Sequence, residues 1–279
     1  MVIENMFLIL LGFVWILFAV IQDLRKKEIA NWLNFSLIIF ALAFRFFYSL
    51  FSNQGYASLF QGLIGLGAFF IIGNLLYYGK VFAGGDAKLM IALGAIIPFS
   101  PNLYININLV LMFFLFFLIA GALYGITFSL YLGLKNRKNF VREFSNLFKK
   151  NKKLFYISLI AGIAIIAFSS FEIILIYLGI LIFISPYIYI SAKAIDESCM
   201  ITKVSTRSLT EGDWLYKNIR VGNRLIKESW EGLTKEEIVL LRKKKKYVLI
   251  RQGIPFSPVF FISYVALVIL FTNPNLYLF

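Results

Sequence analysis

The chain has 279 residues, of which 60% are hydrophobic, 18% aromatic and only 15% charged. That is far from the roughly 45–50% apolar and 25% charged make-up of soluble domains, so a soluble enzyme, a disordered chain and a small disulfide scaffold are excluded. A single cysteine (Cys199) and no histidine remove internal disulfides, Cys-cluster zinc sites, His-ligated metals and Ser-His chemistry.

Apolar runs stand at residues 6–22, 32–51, 57–79, 89–99, 104–134, 154–170, 173–190 and 256–272. Most match the length of helix that crosses a bilayer core. The reading is an all-α polytopic membrane protein of about eight transmembrane helices with a small α+β cytosolic domain. The fourth run is short for a crossing, and the fifth is long enough to tilt or to project. The first run has an acid (Glu4), no basic residue before it and no small-residue cleavage site after it, so it is read as a permanent helix.

The net charge of +14 has a strongly uneven distribution. Arg25, Lys26 and Lys27, then Lys80 and Lys88, then eight cations in 135–153 and fourteen in 193–251, make up 27 of the 28 Lys and Arg residues. The alternate connections 52–56, 100–103 and 171–172 carry none, and Arg45 is the exception, inside the second run. The positive-inside rule places the N-terminus outside and the basic segments in the cytosol of a multi-pass plasma-membrane protein. The surplus charge therefore reads as orientation and contact with membrane lipids, not nucleic acid.

The expected organisation is a catalytic membrane domain at 1–134, a basic loop and transmembrane hairpin at 135–192, a small cytosolic domain at 193–251 and a C-terminal transmembrane helix at 252–279. In the polar segment, Thr234-Lys235-Glu236-Glu237 fits a capping box and predicts a helix through Ile238–Lys246. Ile201–Val204 and Trp214–Ile226, broken by Gly212 and Gly222, predict short strands and turns.

Acids in or beside the membrane part are few: Glu4, Asp23, Asp86 and Glu172, with Glu28 and Glu143 in its basic connections. Glu4 and Glu172 read as water-exposed loop acids at the outer surface. Asp23 closes the first run and Asp86 follows the third, so two crossings separate them and return both carboxylates to the cytosolic face. Gly84 and Gly85 before Asp86 allow close backbone approach or a positive φ. Two carboxylates at contact distance cannot both ionise comfortably and titrate as a pair. Such a dyad activates water with no metal, cofactor, His or Cys.

The segments Asp23-Leu24-Arg25-Lys26-Lys27-Glu28-Ile29-Ala30-Asn31 and Ala83-Gly84-Gly85-Asp86-Ala87-Lys88 resemble the membrane aspartic peptidases of the GxGD type that process type IV prepilins and archaeal preflagellins (prearchaellins). Ala30 stands where that family has Pro, and Ala83 where it has the first Gly. The phrases Ser191–Asp196, Leu209–Trp214 and Arg251–Pro258 look like the archaeal branch. The resemblance implies a fold with both aspartates catalytic, and Gly84, Gly85, Lys88 and Asn31 as supporting candidates. It implies no cofactor. The partner it implies is a pilin-like or archaellin precursor, with a short basic leader before a hydrophobic helix. The absence of a cysteine-rich insert implies cleavage without methylation. Three other readings remain at this stage: a presenilin-like protease cutting within the bilayer, an ion- or proton-coupled transporter using the two acids, and a non-catalytic scaffold with 193–251 as its binding module.

Overall fold

The structure, a computed structural model, describes residues 3–52, 55–168, 172–222 and 224–273. The Glu4 side chain and residues 169–171 of the expected outer turn lie outside the described residues. Helices dominate: α1 (Ile3–Lys26), α2 (Asn31–Phe51), α3 (Ala57–Tyr78), α4 (Gly84–Gly94), α5 (Leu103–Lys135), α6 (Arg137–Lys150), α7 (Lys152–Ala167), α8 (Ile174–Cys199), α9 (Lys235–Lys244) and α10 (Ser257–Thr272). Short strands follow α8: β1 (Ile201–Ser205), β2 (Trp214–Leu215), β3 (Ile219–Val221), β4 (Arg224–Ile226) and β5 (Tyr247–Arg251).

Among the described residues, five helices are long and apolar enough to cross a membrane: α1, α2, α3, α5 and α8. Leu10, Phe18, Ile39, Phe60, Ile71, Leu111 and Leu118 on four of them are exposed, as lipid-facing side chains are. This is a multi-pass membrane protein, and the expected count of about eight crossings is not confirmed among the described residues. The fourth run forms only the 11-residue α4, roughly 16 Å of helix against a hydrocarbon core of about 30 Å. Its remaining residues, Ala95–Phe99, turn instead. The 33 residues of α5 extend roughly 50 Å, well beyond one bilayer core.

The chain folds as two units, one of residues 1–125 with 254–279 and one of residues 126–253. In the first, α1–α4, the start of α5 and α10 share a core that includes Leu8, Leu37, Phe69, Leu93, Phe113, Phe260 and Tyr264. Small residues set its closest crossing: Gly65 and Gly94 face each other, and a Cβ on Gly94 would stand 2.5 Å from the Gly65 carbonyl oxygen. Helix α10 runs antiparallel to α1. The buried Tyr264 hydroxyl donates to the Ile9 carbonyl at 3.1 Å, in space that Gly12 leaves free.

Arg45, the cation that the charge distribution leaves inside an apolar run, is 1% exposed. Its Nε donates to the Ala95 carbonyl at 3.0 Å, Nη2 to those of Ile96 and Pro98, and Nη1 to both the carbonyl and the hydroxyl of Ser58 at 3.1 Å. The guanidinium thus collects the carbonyls left open where α4 stops short, and ties α2 to the start of α3. Five fixed donors suit this task; an ammonium has three. Gly62 makes room for the arginine stem.

In the second unit, most of the stretch read as a basic loop is the helix α6. Phe140, Phe144, Leu147 and Phe148 recur at helical spacing and pack on Phe155, Ile190 and Ala194 of α7 and α8, while the cations line the other side. Helices α7 and α8 cross closely at Gly162 and Gly179. The segment 193–251 begins with the end of α8, so its sheet module starts at Ile201. Strands pair in the antiparallel order β1-β5-β2, with β3 and β4 as a separate hairpin. Gly212 and Gly222 have φ of +95° and +63°, as the turns between these strands require. The capping box forms: the Glu237 N–H donates to Thr234 Oγ1 at 3.3 Å, and the Thr234 N–H to Glu237 Oε2 at 3.0 Å. Helix α9 ends at Lys244 rather than Lys246, because Lys245 turns extended to lead into β5.

Candidate active site

Asp23 lies in the last turn of α1 and is 6% exposed. The helix stops just beyond it. Lys27 takes a left-handed backbone (φ +57°), and its N–H returns to the Asp23 carbonyl at 2.7 Å. That conformation usually falls to glycine at a helix end. The connection is then held by Gln22, whose Oε1 accepts the Ala30 N–H at 3.1 Å. Ala30 has φ −65°, the value a proline ring imposes. Alanine therefore keeps the proline path and adds a donor that Gln22 uses.

Asp86 occupies the third position of α4, after Gly84 and Gly85. Its carboxylate reaches back to the Ala83 N–H, one half of a capping box. Ala83 sits at φ −70° and ψ 161°, ordinary for alanine, so the missing glycine leaves this path unstrained. Of the two uses open to the glycines, the positive φ does not occur. Gly85 is the close-approach position, with Ile29 Cβ 3.3 Å from where its own Cβ would stand, whereas a Cβ on Gly84 would meet Tyr77 Cε2 at an ordinary 3.8 Å.

The fold brings these two ends together. The charge of Asp23 acts on the Asp86 carboxyl, and burial together with that charge pushes Asp86 above the usual carboxylate range, against the Ala83 N–H that favours its ionised form. The two supporting polar candidates also meet: Lys88 Nζ donates to Asn31 Oδ1 at 2.7 Å, linking the starts of α2 and α4. Trp32, between Asn31 and Leu33, is 63% exposed.

Three neighbours were not singled out by sequence. Asn34, 1% exposed, extends Nδ2 toward the Gly85 carbonyl at 3.5 Å. Tyr124 of α5 lies within electrostatic reach of Asp23. The Ser257 N–H at the start of α10 donates to Asp23 Oδ2 at 3.0 Å. Asn34 lies one helical turn beyond Asn31, a spacing that could have marked it. Nothing local ties Ser257 to an aspartate 234 positions earlier.

The arrangement puts a buried carboxyl, raised above its usual range, within electrostatic reach of a second carboxylate. Among the described residues, no three His, Cys, Asp or Glu side chains gather as a metal site would require.

The model of the type IV leader peptidase family matches residues 10–128, which hold both aspartates. A preflagellin peptidase of Methanococcus maripaludis is 29% identical over 103 residues, which is 37% of this chain and 44% of that protein. A preflagellin peptidase of Methanocaldococcus jannaschii is 33% identical over 89 residues, 32% of this chain and 37% of that one. The chain thus spans less than half the length of these curated relatives. No solved structure matches it. Residues 10–128, which carry the two acid-bearing helix ends, are thus similar to the type IV leader peptidase family.

Proposed function

We propose that the protein is a membrane aspartic endopeptidase that removes the short basic leader from type IV pilin-like or archaellin precursors at the cytosolic membrane face. The observation that carries this reading is the approach of the connection after α1 to the start of α4, where Ile29 lies against Gly85 and the charge of Asp23 acts on the buried Asp86 carboxyl. In this reading Asp23 is the ionised member that takes the proton of the attacking water. Asp86 is the protonated member that donates to the scissile carbonyl. Lys88 and Asn31 keep the two acid-bearing segments in register.

The preflagellin peptidases among the relatives support the substrate class. The basic connections at 23–31 and 79–88 support a cytosolic site. Placement of Asp23 at a helix end, followed by Arg25, Lys26 and Lys27, favours cutting at the membrane surface over cutting deep in the bilayer.

The test is incubation of the purified full chain with a precursor carrying a basic leader before an apolar helix. Cleavage at the leader junction that is lost in both Asp23→Asn and Asp86→Asn supports the proposal. Normal cutting by both variants rejects it, and a cut several turns inside the apolar helix favours the presenilin-like alternative.

A further inference from the structure

The C-terminal helix enters the site from outside the family-matched residues. Its first residue, Ser257, is 0% exposed. Its backbone N–H holds Oδ2 of Asp23 at 3.0 Å, while its hydroxyl is buried with no hydrogen-bond partner among the described residues. Within one serine, N and Oγ are only three bonds apart, so the spare hydroxyl belongs to the residue whose N–H holds the Asp23 carboxylate. A buried hydroxyl without a partner is costly and is rarely retained without a use.

The residue is held firmly in place. Phe256, just before it, packs on Phe82 (ring centroids 6.0 Å apart) and on Phe117 (5.7 Å), and Phe260 one turn on packs on the same two rings. Phe82 directly precedes the Ala83–Asp86 turn. One aromatic cluster therefore fixes the start of α10 against the loop carrying Asp86. Pro258 sets the first turn of α10, whose N-terminal N–H groups favour a nearby negative charge.

Resting on the peptidase reading above, we propose that Ser257 is a positioning residue for Asp23: its N–H fixes Oδ2, and its hydroxyl turns onto the same carboxylate during the reaction, holding it ionised with one oxygen aimed at the water. The other titratable groups that face Asp23 are Lys27 at the end of its own helix, Asp86 on α4 and Tyr124 on α5. None of them occupies the position of the Ser257 N–H. This role extends the catalytic unit to a segment more than a hundred residues beyond the end of the family match at residue 128.

The test compares wild type, Asp23→Asn, Asp86→Asn, Ser257→Ala and Ser257→Thr as full chains, by kcat, KM and pH profile on the same precursor, with thermal unfolding to verify folding. Loss of a hydrogen bond to a charged group predicts that Ser257→Ala lowers kcat roughly 10- to 100-fold. KM should stay near the wild-type value, the acidic limb of the rate profile should move to higher pH, and Ser257→Thr, which keeps the hydroxyl, should recover most of the rate. If Ser257→Ala keeps the wild-type kcat and profile, or if both serine variants lose rate equally with an unshifted profile, the positioning role is overturned and the peptidase reading stands. An inert wild type, or full activity in the aspartate variants, overturns both.

Discussion

The Ser257 N–H donates to Oδ2 of Asp23 at 3.0 Å, across 234 positions of sequence. The end of the first helix and the beginning of the last are thereby one local structure. The carboxylate of Asp23 satisfies a donor that the N-terminus of α10 leaves open, and that donor in turn restrains the carboxylate. The relationship bears directly on the proposed division of work between the two acids.

Asp23 is held by a backbone donor, and Asp86 is pushed above the usual carboxylate range by burial and by its neighbour's charge; the proposed dyad rests on these two features. Replacing either acid by asparagine should lower the cleavage rate by roughly 10²–10⁴-fold or more, the range for losing a positioned acid or base. The variants should remain folded. Quantified cleavage of a precursor in detergent micelles checks this, and chelators should leave the wild-type rate unchanged.

Stability should carry the same signature. The folded-state pKa of Asp86 is raised, so the folded protein binds that proton more tightly than the unfolded chain does. Its contribution is present at pH below the ordinary carboxylate range and is lost as pH rises through the raised value. Asp86→Asn removes this dependence. Thermal unfolding across the window should show the variant gaining on wild type as pH rises, and a constant offset between the two would contradict the expectation.

Arg45 offers a prediction independent of catalysis. Arg45→Met strips the carbonyls of Ala95, Ile96 and Pro98 of their donor in a buried site. A loss of about 2–5 kcal/mol in stability is expected, since each buried group left unpaired costs about 1–3 kcal/mol. Arg45→Lys should recover only part of it, because an ammonium cannot reach the same acceptors at once. Denaturation in mild detergent measures both.

In the sheet module, Thr234→Ala removes the side chain that accepts the Glu237 N–H. The expected cost is about 0.5–2 kcal/mol. It should appear as faster amide exchange across α9, with no change at α4 or α10.

Asp23 and Asp86 were legible as candidates because ionisable groups at the rim of a membrane helix are few, and the count of crossings between them predicts a common side. The capping box at Thr234 was legible because its spacing is local. The helix α6 was legible in principle, since Phe140, Phe144, Leu147 and Phe148 recur at helical spacing, but the dense cations hid the pattern. The fourth run looked like a crossing because hydropathy does not register where a helix stops. The backbone of α4 ends at Gly94, and the buried Arg45 makes that end tolerable.

The sequence by itself determined that this is a membrane protein of apolar helices, and it set the expectation that the two acids return to a common face. These follow from composition, run length and parity, which need no knowledge of which helix packs on which. Only the tertiary structure decided that α10 docks against α1, that Ser257 reaches Asp23, and that Arg45 closes the open end of α4. Those contacts join residues far apart in the chain, and their formation depends on packing and on the pairing of buried polar groups, which no local pattern encodes.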